Sequence, residues 1–179
     1  MAVGEALFVE CIETPLGGMQ LVSDDVGRLR AVDWTSHGAR MLRLLARHSP
    51  RFTLEAGSLV MSGALRRYFD GDLAAIDGLT VFTRGTAFQE AVWMVLRGIP
   101  PAMTITYTEL AGRAGFPGAV RAAGAANGAN PISVVVPCHR VIGMSGKLTG
   151  YGGGVERKAW LLAHEARFAG VKEARTSFL

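Results

Sequence analysis

Cys138 stands in the run Val136-Pro137-Cys138-His139-Arg140, where the residue types point most directly to chemistry. A thiol attacks only as its thiolate, and a neighbouring imidazole or guanidinium favours that form. His139 and Arg140 follow directly, so this cysteine reads as a nucleophile rather than a small buried hydrophobe. The Cys-His pair by itself also fits thiol proteases and other thiol enzymes. Adjacent side chains on a strand point to opposite faces, so direct Cys138–His139 contact needs a bent backbone or a bridging water. Glu165 supplies a third member. Glu156 to Phe168 reads as a helix with Leu161 and Phe168 on its core side, and Glu165 lies roughly 40–60° from that stripe. A carboxylate there is costly unless paired. His139 fits as its partner, with Glu165 orienting the ring to take the thiol proton; an exposed Glu on the flank of the stripe is the competing reading.

The surrounding elements must position these groups. Ile132 to Val136 is a short apolar, strand-like run stopped by Pro137, which places Cys138 at the end of a buried strand. Gly143 to Gly154 carries six glycines, permitting close approach of backbone to a planar ligand, but it lacks the pattern of a phosphate loop. Upstream, Thr106 to Ala114 and Ala119 to Ala129 read as two short helices around the breaker Gly115-Phe116-Pro117-Gly118, a helix-turn-helix. The second helix is mostly Ala and Gly, with Arg121 its only charge. Such a slim helix can press against the minor groove, about 6 Å wide in B-DNA, or pack closely against neighbouring helices. A cation in the first helical turn opposes the helix dipole, so an Arg121 that enters the base stack is the sharper explanation. A further helix starts at Thr86, with Gln89 as capping-box partner and Phe88, Val92, Val95 and Ile99 on one face.

The first third reads as β structure: Phe8 to Glu13, Met19 to Ser23 and Leu29 to Trp34, separated by turn signals, form an antiparallel meander. Helices are expected over His37 to His48 and Leu59 to Phe69. The domain boundary falls near residue 82, giving units 1–82 and 83–179. The first holds 8 Lys/Arg and 10 Asp/Glu, the second 11 and 5, so a polyanion is expected to dock on the second. Of the 179 residues, 49% are hydrophobic and 19% charged, an ordinary globular balance. No apolar run is long enough for a membrane span, and the segment from Met1 to Glu5 does not look like a signal peptide, so a cytoplasmic protein is expected. Cys11 and Cys138 are not expected to pair, and His37 and His48 read as surface helix residues rather than metal ligands.

With these motifs assembled, the chain resembles the O6-alkylguanine-DNA alkyltransferases, also called methylated-DNA–protein-cysteine methyltransferases, and is most similar to the bacterial constitutive members. The resemblance rests on Pro137-Cys138-His139-Arg140-Val141, Phe88-Gln89-x-x-Val92-Trp93, Arg121-Ala122-x-Gly124-x-Ala126, Asn130-Pro131 and Trp160-Leu161-Leu162-x-His164-Glu165. It implies an α+β fold: an N-terminal ribonuclease H-like antiparallel sheet with helices, then a C-terminal winged-helix domain containing the helix-turn-helix. It implies direct-reversal DNA repair in which Cys138 irreversibly accepts an alkyl group from O6-alkylguanine, and less readily from O4-alkylthymine, once per molecule. His139 resembles the base acting through water, Glu165 its orienting carboxylate, and Asn130 a hinge between recognition helix and active site. Tyr107 resembles the donor to guanine N3, Arg121 the finger filling the gap of a flipped nucleotide, with Ala122 and Ala126 at the DNA. Val141, Tyr151, Gly152 and Gly153 resemble the base pocket. Gly152 replaces the Ser of other members, where the implied contact is a backbone N–H, and Ser133 replaces a Pro found in some, a change bearing on pocket width. No metal or other cofactor is implied, since the zinc-ligand cysteines of some members are missing. The implied partner is double-stranded DNA carrying O6-alkylguanine, bound through its minor groove by a monomer, with cooperative binding left open. Three rivals remain: a non-catalytic damaged-DNA-binding relative, which lacks the acceptor cysteine; a winged-helix transcription factor, which leaves Cys138, His139 and Glu165 unexplained; and a thiol hydrolase, which leaves Arg121 unexplained.

Overall fold

Alternating apolar residues broken by tight turns build the N-terminal sheet. The structure, a computed structural model, describes residues 4–170; Met1 to Val3, part of the segment weighed above as a signal peptide, and residues 171–179, assigned above to the unit 83–179, lie outside the described residues. Strands β1 (Glu5–Thr14), β2 (Gly17–Ser23) and β3 (Leu29–Trp34) form the expected antiparallel meander. Gly17, at φ 97°, and Gly27, at φ 79°, make the two turns, each in a left-handed conformation that favours glycine. A fourth strand, β4 (Phe52–Ala56), joins β1 in parallel and gives the order β3-β2-β1-β4. The sequence reading missed it because this short edge strand is almost wholly exposed and carries little buried pattern.

Helix α1 (Gly38–His48) covers one sheet face, packing Met41 and Leu45 on Leu7, Val22 and Ala31. The other face, with Ile12, Met19, Leu21 and Trp34, meets Leu65, Tyr68 and Phe69 of α2 (Ser62–Phe69). The same core continues past residue 82 to Val92 and Leu96, Val136 and Leu161. Backbone bonds reinforce this continuity: Val32 N–H donates to Pro131 O at 2.9 Å, and Ser133 N–H to Val32 O at 2.8 Å. The segment preceding Cys138 is therefore tied to β3.

In the C-terminal part, α3 (Ala87–Arg97) begins with the expected Thr86/Gln89 capping box. A second box, Thr106/Glu109, starts α4 (Tyr107–Arg113), and a turn with Gly115 at φ 89° leads to α5 (Val120–Gly128). Strand β5 (Ile105–Thr106) pairs in parallel with β6 (Val141–Ile142), and α6 (Val155–Phe168) closes the described chain. The α+β class expected from the sequence is present. The strand expected over Ile132 to Val136 is not: this stretch forms turns with one isolated bridge, Ile132 to Val32. Val134, at φ 71°, departs from the extended path, and the Asn130 side chain takes up the segment's polar groups. No helix among the described residues is long and apolar enough to cross a membrane.

Candidate active site

Cys138 opens a single 3-10 turn, Cys138–Arg140, instead of ending a strand. Successive side chains diverge around such a turn. Cys138 faces Asn130, whereas His139 and Arg140 reach Glu165 on α6. His139 and Glu165 are fully buried.

Glu165 is the hub of the site. Its Oε1 accepts from His139 Nε2 at 2.9 Å, Tyr68 Oη at 2.8 Å and Arg140 Nη2 at 2.7 Å. Its Oε2 accepts from Arg140 Nε and Ala102 N, both at 3.0 Å. Ala102 adopts φ 62°, backbone strain at the residue whose N–H serves the carboxylate. Burial alone would raise the Glu165 pKa, but His139 and Arg140 outweigh it and hold the group well below the usual carboxylate range. An ionised carboxylate only accepts, so Nε2 of a neutral His139 carries the proton and Nδ1 keeps its lone pair. Nδ1 is buried with no hydrogen-bond partner among the described residues, and burial lowers the His139 pKa despite Glu165.

The cysteine differs from the sequence expectation. Burial pushes the Cys138 thiol up, only partly offset by the Asn130 bond. Arg140 does not favour a thiolate by direct contact, because its guanidinium is engaged by Glu165 and Ile99 O. The resting pair is a protonated thiol beside a neutral imidazole, and no hydrogen bond joins them among the described residues.

Asn130 knots the approach to Cys138. Its Nδ2 donates to Val136 O at 2.7 Å and approaches Cys138 Sγ at 3.1 Å, while Oδ1 accepts from Ile132 N at 2.9 Å. Tyr107, the first residue of α4, donates to Thr149 O at 3.2 Å in the glycine-rich loop. Burial raises its pKa. Beneath the loop, fully buried Lys158 donates to Val141 O at 2.5 Å and Thr149 O at 2.9 Å, and burial lowers its pKa to about 8. Tyr151 and Gly153 are buried, and a Cβ on Gly153 would overlap both Trp34 and Tyr151. A Cβ on Gly152 would meet the Arg40 guanidinium, which also donates to Gly128 O at 2.9 Å. The space a Ser side chain would take there is thus filled by an arginine from α1.

Arg121 and Ala122 are exposed on α5, and Arg121 makes no ion pair among the described residues. Ala126, expected beside them at the DNA, is instead 4% exposed, and its carbonyl accepts from Trp93 Nε1 at 2.9 Å. Its methyl belongs to the helix packing. His48, read as a surface residue, lies edge-on to Trp93 with Nε2 buried. Sequence reasoning also missed Tyr68, Lys158 and Arg40. For Lys158 a signal existed, since it shares the helical stripe of Leu161 and Glu165 at spacings of three and seven. Tyr68 and Arg40 reach the site from distant segments, which no local pattern reveals.

The family profile described as "6-O-methylguanine DNA methyltransferase, DNA binding domain" matches residues 87–167. Over 163 residues the chain is 51% identical to a methylated-DNA–protein-cysteine methyltransferase of Shigella flexneri, covering 89% of this chain and 95% of that one. It is 52% identical, with the same coverage, to the protein of that name from Salmonella typhimurium. Among solved structures, Mycobacterium tuberculosis OGT in complex with DNA superposes with a TM-score of 0.73 and 37% identity, over 91% of this chain and 94% of that one.

Proposed function

Because this chain belongs to the methylated-DNA–protein-cysteine methyltransferase family, we propose that it repairs O6-alkylguanine in double-stranded DNA by taking the alkyl group onto Cys138. The observation that carries this reading is the buried Cys138 beside a neutral His139 whose free Nδ1 is backed by ionised Glu165. The Cys138 thiol proton passes through a bridging water to His139 Nδ1, and Glu165 stabilises the resulting imidazolium through Nε2–H. Sulfur then attacks the alkyl carbon, the carbon–O6 bond breaks, and its electron pair returns to guanine. Tyr107 leaves the Thr149 carbonyl and donates to guanine N3, meeting the developing charge. The product thioether is not hydrolysed, so each molecule acts once. No metal or other cofactor takes part.

A base inside the duplex is out of reach, so the damaged nucleotide is flipped, and weak pairing of the lesion makes that cheaper. In this reading α5 enters the minor groove with Arg121 filling the vacated space and Ala122 against the DNA, while Ala126 acts only by allowing close helix packing. Val141, Tyr151, Gly152 and Gly153 form the pocket, which receives O4-alkylthymine less well, and Asn130 links α5 to Cys138. Residues 83–179 form the DNA-binding and active-site unit and 1–82 its support; the protein acts as a cytoplasmic monomer.

The test is to mix the protein with a duplex oligonucleotide containing O6-methylguanine and weigh the intact protein. A single methyl on Cys138, with transfer stopping at one equivalent, is expected. Catalytic turnover, or a protein of unchanged mass, overturns the reading.

A further inference from the structure

The buried Tyr68 hydroxyl donates to the same Glu165 oxygen that His139 uses, at 2.8 Å and 2.9 Å respectively. Tyr68 belongs to α2, in the N-terminal half, 97 positions from Glu165. Its ring is fixed edge-on against Phe69, and its carbonyl is bonded to His164 Nε2 at 2.8 Å. We propose that Tyr68 is a positioning residue for methyl transfer, through which the N-terminal half sets the direction and proton affinity of the Glu165–His139 pair. The inference rests on the Cys138 reading above and extends it to a residue outside the matched DNA-binding region.

The argument is competition for one oxygen. Oε1 serves Tyr68, His139 and Arg140 together, so each donor draws charge that the others would otherwise feel. A hydroxyl from the opposite wall also keeps the carboxylate from rotating away from the imidazole. Around this pair stand Arg140 on the cysteine turn, Lys158 on α6, the Tyr151 ring edge-on to His139, and His164 against the Tyr68 ring. None of these replaces the Tyr68 hydroxyl on Oε1. Removing the hydroxyl leaves Oε1 more negative toward His139 and less well held. His139 then protonates at higher pH, and the imidazole able to take the thiol proton is lost earlier on acidification.

The test is Tyr68→Phe, which keeps the ring and deletes the hydroxyl, with Leu65→Val as a packing lesion in the same helix that leaves Glu165 untouched. Single-turnover methyl transfer is followed between about pH 5 and 9, and His139 is titrated by nitrogen-15 NMR without DNA. Tyr68→Phe is expected to be roughly fivefold slower at neutral pH, the worth of one hydrogen bond. Its acid limb and His139 midpoint should both move to higher pH, while Leu65→Val follows the wild-type pH profile. A Tyr68→Phe pH profile that overlays wild type, or a Leu65→Val profile that moves equally, overturns the proposal. Should wild type transfer no methyl, the Cys138 reading fails, and the NMR midpoint still decides the role of Tyr68: an unchanged midpoint refutes it.

Discussion

Glu165→Gln changes the hub of the site with almost no change in shape. The amide can keep one oxygen toward Tyr68 and His139, but its NH2 then faces Arg140 Nε and Ala102 N–H, donors against a donor. Arg140 is left as a buried cation without its counter-charge, facing only a neutral amide oxygen at the Oε1 position and Ile99 O. Breaking a buried ion pair from one side costs about 3–5 kcal/mol. For a chain of 179 residues, a loss of that size lowers the melting temperature by roughly 6–20 °C. Methyl transfer should slow by at least about a hundredfold, since the imidazolium loses its counter-charge.

The same variant has a pH signature. Glu165 has a depressed pKa in the folded state, so its contribution is present above the ordinary carboxylate pKa of 4.5 and is lost as pH falls through the folded value. His139 is also depressed, so protonation favours the unfolded chain once pH drops below 6.5. Wild type should therefore weaken first through His139 and again below about pH 4.5 through Glu165. Glu165→Gln should lack the second phase. Thermal melts across pH, paired with single-turnover transfer at neutral pH, measure both effects. A variant melting within a degree or two of wild type and transferring methyl at an equal rate would refute the assignment of Glu165 as hub.

Asn130→Ala removes the side-chain bonds that hold Ile132, Val136 and Cys138 and should cost about 2–4 kcal/mol, read by urea unfolding. Gly153→Ala places a methyl inside the space of Trp34 and Tyr151; the expected results are a red-shifted tryptophan emission and slower transfer, with near-wild-type affinity for unmodified duplex. Arg121→Ala should slow repair of duplex DNA far more than reaction with free O6-alkylguanine base, while thermal stability stays within about 0.5 kcal/mol because the side chain is exposed. Equal losses on duplex and free base would remove the finger role.

Much of the fold was legible because local patterns carried it. Three strands alternated between clear turns, the Thr86 box announced α3, and Gly115 marked the break between α4 and α5. The failures share a cause. Ile132 to Val136 has strand composition, but Val134 turns left-handed and the Asn130 side chain satisfies groups that a ladder would have used. Composition cannot report a side chain's competition for backbone partners. Ala126 shares its small-residue helix with Arg121 and Ala122, and only packing against Trp93 decides which side is buried. Cys138, His139 and Glu165 were found from the sequence, whereas Tyr68, Ala102 and Arg40 reach the site from elements whose approach is set by tertiary packing.

Arg140 shows how magnitude decides what adjacency does not. A cation next to a cysteine in sequence argues for a thiolate, yet the guanidinium spends its charge on Glu165, and desolvation of Cys138 prevails. A raised thiol pKa looks like poor design for a nucleophile that must act at neutral pH. It is consistent with a thiol consumed by its one reaction. A standing thiolate reacts with ambient oxidants and electrophiles, and for a single-use residue each such event ends the molecule's life. Keeping Cys138 protonated and 4% exposed, with His139 Nδ1 free to take the proton, leaves activation to a base held inside the pocket. The cost is a slower resting thiol; the return is that its single reaction is reserved for the substrate the pocket admits.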